Sequence, residues 1–337
     1  MKYDSSGNQL WVQRYNGLGN SWDEASAIAL DGSGNVCVTG TSVGNGTDFD
    51  YATVKYDADG NQLWVQRYKG TGNSYDKAYA IIVDGSGNVY VTGQSYNGGT
   101  YQDYATVKYD PDGNQLWVQR YNGPAGYHDV ASALTLDSSD NIYVTGESYG
   151  SGTGYDYATI KYNLNGNQLW VQRYNGPGND WDEVSAIASD GSGNIYITGR
   201  SIGSGTSWDY ATVKYDSSWN QLWVQRYNGL GNSWDEASAI ALDGSGNIYV
   251  TGYSYGDSVT RDNYATIKYV QFLRGNANSD TKVTIADIVY LVSYLFKFGP
   301  APDPLLSGDA NCDSKVTIAD IVYLVSYLFK HGPQPCI

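Results

Sequence analysis

Residues 7–15 read GNQLWVQRY, and the same text returns at 60–68, 113–121 and 166–174, then at 219–227 with Trp219 replacing the first glycine. Copies spaced 53 residues apart constrain this chain more than any other feature, because such a unit cannot bury its apolar faces alone. Neighbouring units must supply the packing.

Each period holds four short strand patterns separated by turn chemistry. In the first full copy they are EASAIAL (24–30), NVCVTG (35–40), YATVKY (51–56) and NQLWVQRY (61–68). DGSGN (31–35) and DADGN (57–61) predict tight hairpins, since Gly and Asn tolerate positive φ. Both turns share fragments with calcium loops but lack the remaining ligands and a following helix, so they read as hairpins. The other two connections, 16–23 and 41–50, are longer and more variable. Four antiparallel strands per period, repeated in a ring, predict an all-β five-bladed β-propeller over residues 1–270. Tyr3 and Tyr269 hold the same place in the repeat, so the N-terminal strand 8–15 is expected to close the last blade. Cys37 stands where the other copies carry Tyr90, Tyr143, Tyr196 and Tyr249, and reads as a buried free thiol.

This strand order resembles bacterial SBBP propeller repeats and, more loosely, NHL blades, over residues 1–270. The resemblance implies that the EASAIAL-type strand is innermost and the NQLWVQRY-type strand outermost. Alanine and serine suit the crowded axis, and tryptophan and tyrosine the wider rim.

The longer loops present an aromatic or histidine followed by aspartate in every copy: Trp22-Asp23, Tyr75-Asp76, His128-Asp129, Trp181-Asp182 and Trp234-Asp235. Phe49-Asp50, Tyr155-Asp156 and Trp208-Asp209 form a second set. Aromatic faces beside carboxylates are what sugar recognition needs, so the long-loop face is a candidate site for a glycan or protein ligand. The competing expectation is structural. Arg14, Arg67, Arg120, Arg173 and Arg226 each precede an aspartate of the first set by nine residues, so that aspartate pairs with the arginine or caps loop N–H groups. Catalysis is not expected. The two histidines, His128 and His331, suggest no nucleophile relay, and Glu147, Lys77 and Arg200 form no recognisable set.

A different repeat begins near residue 270. Residues 276–287 read NANSDTKVTIAD and 309–320 read DANCDSKVTIAD, each followed by IVYLVSYLFK. Oxygen-bearing residues fall at the EF-hand positions for Ca²⁺. In the first loop these are Asn276, Asn278, Asp280, the Lys282 carbonyl, Thr284 and Asp287. In the second they are Asp309, Asn311, Asp313, the Lys315 carbonyl, Thr317 and Asp320. Position 6, usually glycine, is Thr281 and Ser314. Two Ca²⁺ ions are therefore expected, with folding of this small module dependent on them. The helices carry more apolar surface than mutual contact covers, which predicts a partner surface.

One helix follows each loop and none precedes it. That duplicated loop–helix unit over 274–337 is similar to a type I dockerin and makes residues 271–337 a small all-α calcium-binding dockerin-like domain. The resemblance implies docking onto a cohesin-like β-sandwich partner through Ile285, Ala286, Ile318 and Ala319. Cys312 and Cys336 could pair across this module, which would fit an extracellular setting.

Lysine plus arginine total 20 against 35 acidic residues, a net charge of −15 that disfavours nucleic acid and anionic lipid surfaces. No apolar run approaches the ~20 residues of a membrane span. A signal peptide is absent from this sequence, since the opening MKYDSSGNQL has no apolar core. A secreted or cell-surface location is nonetheless what the dockerin resemblance and a Cys312–Cys336 pair would imply.

Overall fold

The computed structural model describes residues 1–337 except 47, 72, 73, 100, 271–273, 279–281, 304, 336 and 337. The hairpin turns are built alike throughout. In the first, the Asp31 carboxylate accepts the N–H groups of Ser33 and Asn35, both at 2.9 Å, while Asn35 Nδ2 donates back at 2.7 Å. Gly34 takes φ +79°, the left-handed region an L side chain avoids. This closure holds two strands in register through the turn's own hydrogen bonds.

The strands follow the sequence. A short hairpin of β1 (Lys2–Tyr3) and β2 (Gln9–Trp11) comes first. A blade of β3 (Asp23–Leu30), β4 (Val36–Val43), β5 (Phe49–Tyr56) and β6 (Gln62–Tyr68) follows. Three more blades repeat it: β7 (Lys77–Val83) to β10 (Gln115–Tyr121), β11 (Asp129–Leu136) to β14 (Gln168–Tyr174), and β15 (Asp182–Ser189) to β18 (Gln221–Tyr227). The last sheet has three strands, β19 (Asp235–Leu242), β20 (Ile248–Tyr255) and β21 (Asp262–Tyr269). All four-stranded sheets run in sequence order, so the first and fourth strands are the edges. The first strands β3, β7, β11 and β15 contact one another in series, which makes them the inner wall.

The blade count and the closure differ from expectation. Among the described residues six sheets are present instead of five blades. β2 does not complete the last blade. It pairs with β1, Lys2 opposite Trp11 and Tyr3 opposite Gln9. A hairpin partner five residues away outcompetes a strand at the far end of the repeats, because loop-closure entropy grows with separation. This hairpin still behaves as the rim of a blade. Lys2 Nζ and Trp11 Nε1 both donate to the Ala58 carbonyl, at 2.8 and 3.1 Å. Lys55 and Trp64 do the same to Pro111, at 3.4 and 3.0 Å.

Blades are joined by two contacts that recur with the period. A tyrosine of each third strand donates to the third strand of the next blade: Tyr51 to Ala105 O, Tyr104 to Ala158 O, Tyr157 to Ala211 O and Tyr210 to Ala265 O, at 3.1–3.3 Å. These four rings are at most 2% exposed, whereas Tyr264, the fifth of the series, is 84% exposed. The arginine ending each outer strand bonds the tyrosine hydroxyl of the preceding outer strand, as Arg120 Nη1 does to Tyr68 at 3.0 Å. Between the contacts lie valine, isoleucine and tyrosine cores.

Cys37 is a free, fully buried thiol packed in the first core, and burial pushes its pKa up to about 11. A thiol this protected reacts only when the blade opens. Modification by a thiol reagent should therefore track the global unfolding transition. Rapid labelling of the native chain would show that the core between the first two blades is breached.

The chain divides into two compact units, Met1–Ala241 with Tyr249–Ile267, and Leu242–Ile248 with Lys268–Ile337. In the second, α1 (Ile285–Lys297) and α2 (Ile318–Lys330) share the sequence IADIVYLVSYLFK. Each starts in a capping box, Thr284 with Asp287 and Thr317 with Asp320, which satisfies orphan N–H groups reciprocally. Each ends on a left-handed residue, Phe298 or His331. Leu291 and Leu324 meet over Ala277 and Ala310 to form the core.

Candidate functional site

The long loops enter the inner strands through the five aspartates of the first set. Asp76, Asp129, Asp182 and Asp235 are at most 1% exposed. Each accepts a backbone N–H six residues upstream: Gly17 to Asp23 at 3.0 Å, Gly70 to Asp76 and Gly123 to Asp129 at 2.7 Å, Gly176 to Asp182 at 2.6 Å, and Gly229 to Asp235 at 2.7 Å. Burial raises the pKa of Asp76 and Asp129, and that of Asp182 to about 6. These carboxylates shape the loops. The alternative, pairing with the arginine nine residues upstream, is not what forms. Arg67, Arg173 and Arg226 instead reach Asp50, Asp156 and Asp209 of the second set, and Arg120 reaches Asp103 at the equivalent position, at 2.8–3.3 Å. Strand pairing brings residues 17 apart in sequence side by side, whereas the long loop turns the nearer aspartate away.

The aromatic partners stay at the surface. Trp22 is 74% exposed, Trp181 46% and Trp234 47%, while Tyr75 and His128 are half-buried. Three of them meet an aromatic of the other long loops across a blade boundary. Phe49 packs on Tyr75 at 5.0 Å, Tyr101 on His128 at 4.6 Å, and Tyr155 edge-on to Trp181 at 5.2 Å. At the next boundary the Arg200 guanidinium lies between Trp208 and Trp234, at 4.5 and 5.2 Å from their ring centres.

Arg200 organises a cluster that residue-by-residue reading did not find. It bonds Glu183 of its own blade and Glu236 of the following one, the latter at 2.7 Å. Glu147, from the preceding blade, lies within electrostatic reach of Glu183. Burial, then the Glu183 charge, raises its pKa to about 7, against a smaller lowering by Arg200. Tyr79 and Tyr155 lie within its electrostatic reach. The signal was available in alignment of the repeats. One column reads Thr41, Gln94, Glu147, Arg200 and Tyr253, and its neighbour reads Glu24, Lys77, Val130, Glu183 and Glu236. Charge placed against the repeat's grain marks an asymmetric patch on this face.

The loops before the two helices form the second candidate. Asp287 and Asp320, at position 12, are fully buried. Each accepts the N–H of position 3, Asn278 at 3.1 Å and Asn311 at 3.2 Å, and of position 9, Thr284 at 2.7 Å and Thr317 at 2.8 Å. Ser314 adopts φ +65°, the sharp left-handed turn that glycine usually supplies there. Asp309, buried, accepts Asp313 N at 3.1 Å and Ser314 N at 3.0 Å. Asp313 itself bonds Asn311 Nδ2 at 3.3 Å and Lys315 N at 2.9 Å. No three His, Cys, Asp or Glu among the described residues gather as a metal cluster. The oxygen chemistry and wrapped path of the second loop nevertheless fit a hard cation, with Asn311, Thr317 and the Lys315 carbonyl completing the donors. Asp280 and Thr281 lie outside the described residues, as does Cys336. Cys312 is disulfide-bonded.

Ile285, Ala286, Ile318 and Ala319 are all exposed at the helix starts. With Val289 and Phe296, and with Val322 and Phe329, the two isoleucines form matching apolar stripes, each residue 56–63% exposed. No helix is long and apolar enough among the described residues to cross a membrane.

Comparison with known proteins finds SBBP β-propeller repeats at residues 63–99, 116–152, 169–205 and 222–258. An uncharacterized WD repeat-containing protein, L264 of Acanthamoeba polyphaga mimivirus, is 27% identical over 252 residues. That match covers 64% of this chain and 15% of the viral protein, so the chain spans well under a fifth of that relative's length. The β-propeller domain of the Trilobed protease from Pyrococcus furiosus aligns with TM-score 0.43 and 8% identity, over 73% of this chain and 68% of that one. The periplasmic gluconolactonase of Pseudomonas aeruginosa aligns with TM-score 0.36 and 11% identity, over 79% and 89%.

Proposed function

We propose that this chain is a secreted or cell-surface, non-catalytic binding protein. Its SBBP propeller is carried by a calcium-dependent, dockerin-like module that docks onto a cohesin-like partner. The matching stripes Ile285–Val289–Phe296 and Ile318–Val322–Phe329 are the observation that carries this reading. Two equivalent apolar surfaces beside acidic loops suit a receptor met in either of two orientations. Ca²⁺ would be held in the second loop by Asp309, Asn311, Asp313, the Lys315 carbonyl, Thr317 and Asp320. The first loop would use Asn276, Asn278, Asp280, the Lys282 carbonyl, Thr284 and Asp287. With one carboxylate fewer, the first loop should bind more weakly. The ion would draw the loop oxygens together and fix the angle at which each helix leaves its loop.

The long-loop face would take a glycan or protein ligand, with Trp22, Trp181 and Trp234 as stacking surfaces. Pull-down from culture supernatant tests the docking reading. Capture should need Ca²⁺ and disappear when Ile285→Asp and Ile318→Asp are combined, whereas capture unaffected by chelator would contradict it. One observation favours a second reading, a glycan-cleaving enzyme. Glu147, with its raised pKa, beside Arg200-bound Glu183 has the split character of an acid and a base. Reducing-end release abolished by Glu147→Gln would replace the first reading with this one.

A further inference from the structure

In the second calcium loop, the carboxylate at position 1 already has a cation on it. Arg274 Nη1 donates to Asp309 Oδ2, and Asp309 is fully buried. The 33-residue repeat shows that this pairing is specific to one loop. Asp309 corresponds to Asn276, and Arg274 corresponds to Ser307. Where position 1 carries a charge, the repeat-related residue before the other loop is an arginine. Where position 1 is neutral, that residue is a serine. The two segments are held together by Gly275 N donating to Ser307 O at 2.7 Å, which fixes Arg274 within reach of Asp309.

Resting on the calcium reading above, we propose that Arg274 is a built-in competitor for calcium in the second loop. It neutralises Asp309 when no ion is bound and lowers the loop's affinity when one is. Three features support the direction of this effect. Asp309 Oδ1 accepts Asp313 N and Oδ2 accepts Ser314 N, so loop amides already orient the carboxylate without Arg274. A group that helps a ligand carboxylate from behind should add to its basicity, whereas a guanidinium withdraws charge from it. A divalent ion and a guanidinium on one buried carboxylate also repel each other where screening is weak. Orientation is thus supplied elsewhere, and what Arg274 adds is positive charge. Its second consequence is structural. With Arg274 in place, the ion-free loop is spared an uncompensated buried carboxylate, so the module's dependence on calcium for folding is reduced.

The test is calcium titration of the full chain by calorimetry, with helical dichroism recorded in chelator. Arg274→Gln should bind Ca²⁺ on the order of tenfold more tightly at one site. It should also lose, in chelator, helical signal that the wild-type chain retains. Arg274→Lys keeps the charge without the fork and should stay weak like wild type, which separates charge from geometry. Equal or weaker calcium binding by Arg274→Gln would overturn the inference while leaving the calcium reading intact. Indifference of both wild type and Arg274→Gln to millimolar Ca²⁺ would overturn the calcium reading and the inference together.

Discussion

Arg120→Ala should destabilise the propeller by about 3 kcal/mol or more, the cost of stripping one partner from a buried ion pair. The Arg120 guanidinium donates to Tyr68 Oη at 3.0 Å, Ser95 Oγ at 2.7 Å, the Ser95 carbonyl at 2.5 Å and Asp103 at 3.3 Å. Asp103 is 1% exposed, so truncation leaves its charge without its counter-ion inside the protein. It also cuts the bond between consecutive outer strands. Arg14 provides the internal control. It has the same place in the repeat but stands exposed in the irregular segment that follows β2. Arg14→Ala should change stability by less than about 0.5 kcal/mol. Urea unfolding of both variants checks the contrast. Equal effects would mean that the arginine acts within its own strand and does not lock blades together.

Glu147→Gln should stabilise the protein in a strongly pH-dependent way. The folded-state pKa is raised from 4.5 to about 7 by burial and by the facing Glu183, against the smaller pull of Arg200. The folded protein therefore holds a proton that the unfolded chain releases earlier. Wild-type stability falls as pH rises from about 4.5 to about 7 and then levels off, a loss of up to about 3 kcal/mol. Glutamine cannot ionise, so the variant escapes that loss. Denaturation at pH 4 should find the two proteins close, and at pH 8 the variant ahead by most of this amount. A variant equally stabilised at both pH values, or destabilised at pH 8, would show that Glu147 is ionised and compensated in the native state.

What the sequence revealed was what repetition and local chemistry encode. The period, the four strands per unit and the Asp-x-x-Gly-Asn turns rest on contacts between residues a few positions apart, and they formed as expected. So did the helix after each loop; its capping box of Thr284 and Asp287, within one turn, was equally local. Cys37 was recognisable as buried because the other copies show what occupies its column.

Contacts made by stacking were harder to see. The arginines take the aspartate 17 residues upstream because antiparallel pairing sets Arg67 opposite Ala52 and near Asp50. Distance along the chain had pointed to Asp76. β2 takes β1 as its partner because two strands joined by a tight turn meet before distant ends do. The Arg200 cluster draws residues from three blades, 36 and 17 positions apart, and nothing in any single unit announces it. Trp219 is a further local departure. Gly60, Gly113 and Gly166 at this position each lie against the tryptophan one repeat earlier, and a Cβ at Gly113 would sit 2.8 Å from the Trp64 ring. Trp219 instead stacks on Trp170 at 3.3 Å, and the buried Trp170 Nε1 is left without a hydrogen-bond partner.

Amide hydrogen exchange resolved by strand tests most directly whether the blades form a locked row with two unlocked ends. Amides of β8 (Val89–Tyr96) and β9 (Gln102–Tyr109), flanked by Tyr51 and Tyr104 contacts on both sides, should be protected close to the limit of global unfolding. Those of β2, and the free-edge amides of β21 beside the exposed Tyr264, should exchange orders of magnitude faster. Protection of β2 and β21 equal to that of β8 and β9 would mean that the two strands pair and close a ring, contradicting the β1–β2 hairpin and the three-stranded last sheet.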